Sequence, residues 1–208
     1  LKNVVGVELP AIVATLPNIR SQALLLDVGA NLACSPRQLE QFAIMGAVLA
    51  RKQFGNDPRV ALLNVGAEDY KGTAIIQDSA RLLEAQDRVN FTGFVEANSV
   101  FDGQAEVIVC DGFVGNVMIK ASAGAVNAFT SQLAGRFALN EESDIREVYT
   151  RLNPQQFNGA TLLGLQGNIV KSHGNADVFG FSCAIQQAFN EQRDEIPSLI
   201  EEAIARVA

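Results

Sequence analysis

The sequence predicts an α/β fold: a doubly wound, mostly parallel sheet with helices on both faces, built as one domain over residues 1–208. Three observations carry this. Short apolar runs of strand length alternate with amphipathic stretches of helical length. The principal runs end in glycine and polar residues, the chemistry of a strand-to-helix turn. Hydrophobic residues make up 48% and charged residues 19% of the 208, a balance that can bury a core.

The elements follow in order. Leu24-Leu25-Leu26-Asp27-Val28 reads as a buried strand ending in Gly29-Ala30-Asn31. Ser35-Pro36-Arg37-Gln38 starts a helix: Ser35 caps, Pro36 suits the first helical position and Gln38 completes a capping box. Leu39, Phe42, Ala43, Gly46 and Leu49 share one face of it, and Gly55-Asn56-Asp57-Pro58 ends it. Val60–Val65 is a second strand, then a polar loop, then a helix over Ala74–Gln86. Val89–Val95 and Glu106–Cys110 are strands three and four. The fourth runs into Asp111-Gly112-Phe113-Val114-Gly115-Asn116 and a long helix carrying Val117, Ala121, Val126, Phe129, Leu133 and Phe137. Leu162–Gly164 and Asn168–Lys171 bracket Gly167 and predict a short hairpin. Asn175 is the expected cap of a helix with Val178, Phe181, Ile185, Ala188 and Phe189 as its apolar positions. The last helix shows Ile196, Leu199, Ile200, Ala203, Ile204 and Val207 on one face. Leu139–Gly159 reads as a helical insertion, with Ile145, Val148, Tyr149 and Leu152 on the apolar side of a short helix.

Composition removes several functions. No apolar run reaches the roughly 18 residues of a membrane span. Sixteen Lys+Arg against 23 Asp+Glu give −7, the wrong sign for a general nucleic-acid binder. Cys34, Cys110 and Cys183 are odd in number and far apart, which argues against a disulfide framework and fits a reducing cytoplasm. His173 is the one histidine, so mechanisms needing two are excluded. Cys110 beside Asp111 has no second histidine to activate it and reads as a buried thiol. GxGxxG, GxxxxGK[ST], GxSxG and HExxH are all absent.

In open α/β sheets ligands bind outside the carboxyl ends of the strands. There the sequence puts Asp27, Gly29 and Asn31; Asn64, Gly66, Glu68 and Lys71; Asp111, Gly112, Gly115, Asn116 and Lys120; and Lys171, Ser172, His173 and Gly174. Glycine admits a ligand close to the backbone, helix N-termini favour anions, and lysines add charge. Four such loops on one sheet edge point to phosphate or a phosphorylated ligand. Taken singly, each glycine is only a turn, Asp27 and Asp111 are caps, and Lys71 and Lys120 are solvated.

Five blocks carry a resemblance: Leu24 to Asn31, Leu62 to Gly66 with Lys71-Gly72, Val109 to Asn116, Leu162 to Leu165, and Val170 to Gly174. In this order they resemble the PlsX family of bacterial phosphate acyltransferases over nearly the whole chain. The resemblance implies a fold similar to phosphotransacetylases and to isocitrate and isopropylmalate dehydrogenases. It implies transfer of a long acyl chain from acyl-carrier protein to inorganic phosphate, giving acyl phosphate for phospholipid synthesis. A membrane glycerol-3-phosphate acyltransferase would use that product. It also implies a cytoplasmic homodimer at the membrane periphery, without metal or organic cofactor and without nucleic acid. On this reading Lys171, Ser172 and His173 hold phosphate, with Lys71 and Gly174 beside them. Gly66, Gly112 and Gly115 open the backbone to it, nearby N–H groups or a lysine such as Lys120 stabilise the thioester oxygen, and Asn31, Asn64, Asp111 and Asn116 orient the substrates. The family's first strand and its Gly-rich Asp loop have no counterpart here. The chain is therefore expected to be the C-terminal portion of a longer one, its activity alone being uncertain. The 139–159 insertion, acidic here, is expected at a dimer or membrane contact. The alternatives are a dehydrogenase of the same broad fold and an inactive dimerisation fragment.

Overall fold

The computed structural model describes residues 1–55, 57–136 and 154–205. Its centre is a seven-stranded sheet flanked by helices. In chain order the elements are β1 Ala11–Pro17, β2 Gln22–Leu26, α1 Pro36–Phe54, β3 Arg59–Asn64, α2 Ala74–Glu84, β4 Asn90–Glu96 and β5 Val107–Val109. There follow α3 Gly112–Arg136, β6 Ala160–Leu163, β7 Val170–Lys171, α4 Val178–Arg193 and α5 Ile196–Ala205. Short 3₁₀ turns occupy Ala97–Asp102 and Pro154–Phe157.

The strand order is β4-β3-β5-β2-β1-β6-β7. The expected parallel sheet is present as the half β4-β3-β5-β2, whose neighbours all pair parallel. The other half is antiparallel: β1 pairs with β2 and β6, and β6 with β7. β1 went unannounced by the sequence pattern. It returns as β2 through a tight turn in which the Asn18 side chain accepts from the N–H groups of Arg20 and Ser21 at 2.9 and 2.6 Å.

Strand alternation divides the core into two layers. Leu24, Leu26, Val60, Leu62, Val107 and Val109 face one way and meet Phe42, Met45 and Leu49 of α1, Leu83 of α2, and Ile196, Ile200 and Ile204 of α5. Leu25, Ala61, Leu63 and Ile108 face the other way, towards Met118 of α3 and Val100. Burial of each large side chain in the first layer stabilises the fold by about 2 kcal/mol. Helix α1 starts as the sequence predicts. Ser35 accepts from Gln38 N–H, and the Gln38 side chain accepts from Ser35 N–H at 2.8 Å. Gly55, at φ +75°, closes the helix in the left-handed conformation.

Three expectations change. Asp177, not Asn175, caps α4, its Oδ1 accepting from Gly180 N–H at 2.7 Å. The reason is that residues 173–176 already form a turn, closed by Ala176 N–H on the His173 carbonyl. The apolar positions of α4 do not face the core: Val178, Phe179, Phe181, Ile185 and Phe189 are exposed. The helix buries Gly180, Ala184 and Glu191 instead, because glycine and alanine allow close approach. Val117 and Phe129 of α3 are likewise exposed. The short helix expected around Ile145, Val148, Tyr149 and Leu152 lies outside the described residues, as do Phe137 and Val207. No helix among the described residues is long and apolar enough to cross a membrane.

Glu191 is a carboxylate inside this packing. Its Oε1 accepts from Thr161 Oγ1 at 2.6 Å and from Gln187 Nε2 at 3.1 Å, while Oε2 is buried with no partner among the described residues. Burial outweighs these bonds and holds its pKa above the ordinary 4.5. The folded state therefore binds this proton more tightly than the unfolded chain. Stability is full below the ordinary value and falls as pH rises through the raised one. Urea unfolding at a series of pH values should show Glu191→Gln flattening that decline, so that the variant gains on the wild type as pH rises. A gap independent of pH above 4.5 would refute this assignment.

Candidate active site at the parallel strand ends

Register places three strand ends side by side. Leu26 pairs with Val109, and Val109 pairs with Leu62. These three residues stand level on β2, β5 and β3, and the loops that carry Asp27, Asp111 and Asn64 begin within two residues of them. Adjacent strands are about 4.8 Å apart, so the row spans about 10 Å. The helices after β2 and β3 pack on one face and α3, after β5, on the other. Such a switch of faces opens the crevice in which α/β sheets bind ligands.

The first loop is built on Asp27, whose side chain is wholly buried. Oδ1 accepts from the N–H groups of Ile12 (2.9 Å), Gly29 (3.1 Å) and Ala30 (3.0 Å). Oδ2 accepts from Asn31 N–H at 2.7 Å and from Asn31 Nδ2 at 3.0 Å. Asn31 Nδ2 also donates to the Pro10 carbonyl at 2.8 Å. The β5–α3 loop docks on this turn. Gly112 N–H donates to the Asn31 carbonyl at 2.7 Å, and Gly115 lies against the Asp27 carbonyl, where any Cβ would overlap the oxygen. Asp111 Oδ1 accepts from Val114 N–H at 2.8 Å and so caps α3. The Asn116 side chain lies over Gly29, and among the described residues no hydrogen bond engages it.

The β3–α2 loop is braced by Asn64, whose Nδ2 donates to the carbonyls of Gly66 and Lys71, both at 3.1 Å. The Lys71 side chain crosses Gly66 and pairs with Glu68 at 2.8 Å. That bond to Glu68 raises the Lys71 pKa above its ordinary value and lowers that of Glu68. Lys71 is thus a half-exposed cation at every physiological pH.

The edge therefore gathers Asn31, Asn64, Gly66, Lys71, Asp111, Gly112, Gly115 and Asn116. The structure also sorts them. Asn31, Asn64 and Asp111 spend their side chains bracing the loops, and the N–H groups of Gly112, Val114 and Gly115 are bonded within them. Lys71 and Asn116 are left to meet a ligand. Lys120 stands exposed on α3, about 12 Å along the axis from its first residue. Lys171, Ser172, His173 and Gly174 are not at this edge. β6 runs with β2 and β7 runs against it, so the chain leaves β7 towards the opposite edge, three strands or about 14 Å to the side. Three loops, not four, share the edge within one chain.

Asp27 and Glu68 matter more than their sequence patterns suggest. Asp-x-Gly-x-Asn is the pattern of a carboxylate folding a turn over itself, and Glu68 three residues before Lys71 is the spacing of a local ion pair. Cys110 is buried, with its Sγ on the Asp27 carbonyl at 3.6 Å; burial and the nearby Asp111 and Asp27 push the thiol up. Burial with the same two carboxylates raises Cys34 to about 12. Neither is a thiolate near neutrality.

Two results should follow. Titration of the native protein with a thiol reagent at pH 8 should modify Cys183 alone, with Cys34 and Cys110 reacting only on unfolding. Rapid native labelling of Cys110 would contradict its burial. Asp27→Asn turns one acceptor oxygen into a donor facing N–H groups, and should cost about 3 kcal/mol in urea unfolding. A loss below about 0.5 kcal/mol would show that the turn does not need the carboxylate.

Comparison with known proteins agrees with this architecture. A family model described as "Fatty acid synthesis protein" matches residues 1–198. A phosphate acyltransferase of Pseudomonas syringae pv. tomato is 44% identical over 97% of this chain and 62% of its own length. One from Vibrio campbellii is 43% identical over 100% of this chain and 64% of its own. The chain thus spans less than two thirds of these relatives. Among solved structures, a branched-chain phosphotransacylase from Enterococcus faecalis superposes with a TM-score of 0.58 at 15% identity, covering 88% of this chain and 65% of the other. The EutD phosphotransacetylase from Staphylococcus aureus gives 0.50 at 16%, over 97% of this chain and 56% of the other, so both share the fold. By the extent of the family match and the identity to its members, the chain belongs to the PlsX family of phosphate acyltransferases.

Proposed function

We propose that this chain carries the phosphate-side machinery of an acyltransferase that moves a long-chain acyl group from acyl-carrier protein to inorganic phosphate. The observation that carries the reading is a pair of donors at a braced strand edge: the Asn116 amide, which no described residue engages, and the half-exposed Lys71 ammonium, which has N–H groups beyond its one bond to Glu68. A phosphate oxygen attacks the thioester carbonyl carbon, forming the C–O bond. The C–S bond then breaks, the carrier thiolate leaves and takes the proton lost by phosphate, and acyl phosphate results. Lys71 neutralises the phosphate dianion, and the Asn116 Nδ2 donates to charge developing on the thioester oxygen. The group that attacks is itself the bound anion, so positioning and charge stabilisation supply the catalysis.

The Lys171–Gly174 loop joins this chemistry from a second copy in the proposed homodimer. Its distance from the strand edge within one chain supports that reading. The exposed apolar residues of α3 and α4, the helices that follow the 111–116 and 171–174 motifs, favour association of two copies. The acyl phosphate would feed a membrane glycerol-3-phosphate acyltransferase, which fits a cytoplasmic enzyme at the membrane periphery. The acidic carrier would dock on a local basic patch, since the chain as a whole carries −7.

The test is phosphate-dependent loss of acyl thioester from acyl-carrier protein. Lys71→Ala and Asn116→Ala should each lower kcat/KM about 10²-fold or more. Lys171→Ala and His173→Ala should act chiefly on the KM for phosphate. Unchanged rates in the first pair would remove the strand-edge assignment, and unchanged rates in the second would remove the loop. Absence of any phosphate-dependent turnover would favour the inactive dimerisation fragment, and a nicotinamide absorbance change the dehydrogenase.

A further inference from the structure

We propose that Asn158 is a positioning residue that presents the Lys171–Gly174 loop to phosphate, an inference that rests on the loop's assignment above. Asn158 follows the Pro154–Phe157 turn and is buried at 7% exposure. Its amide oxygen and both amide hydrogens are engaged. Oδ1 accepts from His173 N–H at 2.8 Å. Nδ2 donates to Ser172 Oγ at 2.9 Å and to the Gly180 carbonyl at 2.8 Å. The direction of the amide follows from chemistry: a backbone N–H can only donate and a carbonyl can only accept.

One side chain thereby ties the exit of β7 to the first turn of α4. Within the loop, Ala176 N–H closes back on the His173 carbonyl. The backbone is pinned from below, while the side chains of Lys171 and His173 stay exposed. Gly174 is open too, with nothing within 4 Å of where a Cβ would stand. A structure that spends a buried, fully bonded amide on the backbone under two exposed cationic or polar side chains holds them in one arrangement. That suits a compact dianion better than a mobile surface loop would, because the ordering cost is met before the ligand arrives.

Removing the amide leaves the His173 N–H without its partner, strips the Gly180 carbonyl of the bond it accepts beyond its helical one, and frees the loop. Asn158→Asp keeps an acceptor for His173 N–H but sets a carboxylate oxygen against the Gly180 carbonyl.

The experiment titrates inorganic phosphate into the intact chain and follows the ring signals of His173 by NMR. They are unambiguous because the sequence holds one histidine. Each protein is measured at a temperature where circular dichroism shows it folded. The wild type should shift saturably. Asn158→Ala should bind phosphate at least tenfold more weakly, and Asn158→Asp should fall between the two. Wild-type affinity in either folded variant would overturn the positioning role while leaving the phosphate reading standing. A wild-type His173 that does not respond to phosphate would overturn the loop's assignment and this inference with it.

Discussion

The buried carboxylate of Asp27 is the constraint on which the functional edge depends. It sits at the end of a central strand, out of water, and accepts five hydrogen bonds that fold residues 29–31 back over it and hold the start of β1. A charge in that position is tolerable only because donors replace the lost hydration. The turn it makes is then the floor for the next loop. Gly112 bonds to it and Gly115 rests on the Asp27 carbonyl, so the start of α3 is set by the shape of the β2 turn. Through α3, Asp27 also sets where Asn116 stands.

That dependence explains a division of labour among residues that look alike in the sequence. Asn31, Asn64 and Asn116 all stand at or soon after a strand end, within two residues of a glycine. Asn64 spends its amide on two carbonyls of its own loop, and Asn31 on the Asp27 carboxylate and the Pro10 carbonyl before β1, groups that have no regular pairing partner there. Asn116 lies inside a helix whose backbone bonds are already made, so its side chain is left over for a ligand. Lys71 is similar. Its carbonyl is held by Asn64, and its ammonium is shared with Glu68 at the surface. Preorganisation comes from the braced residues, and recognition from Asn116 and from the N–H groups that Lys71 keeps beyond its ion pair.

The two sheet halves have different duties. The parallel half supplies the aligned edge and most of the core. The antiparallel half carries a polar interior, with Thr161, Gln187 and Glu191 in one network and Asn158 in another, and it ends in the Lys171–Gly174 loop. Its helix α4 is anchored by glycine, alanine and buried polar groups, which leaves its aromatic residues outside. Large apolar side chains left in water beside a functional loop are a reason for the chain to associate, and the proposed shared site gives that association a purpose.

Much of this was legible in the sequence, and for local reasons. Strand runs, the Ser35 capping box, the Gly55 stop, the hairpin around Gly167 and the glycine-rich turns are set by neighbours within a few residues, so periodicity and turn chemistry reveal them. The loops after β2, β3 and β5 were placed correctly because parallel strands share an end. Strand direction was not legible. Nothing within Val170–Lys171 says that β7 runs against β2, since that follows from β1 turning back after Pro17. The face of α4 was not legible either, because its apolar stripe is as good a core pattern as that of α5. Asn158 gave no signal, its partners lying 14 to 22 residues away. The sequence by itself determined the elements other than β1, their turns and the chemical types at the strand ends. Only the tertiary structure decided which of those ends meet and which side chains are left free, because both depend on hydrogen-bond partners that come together only when the sheet is assembled.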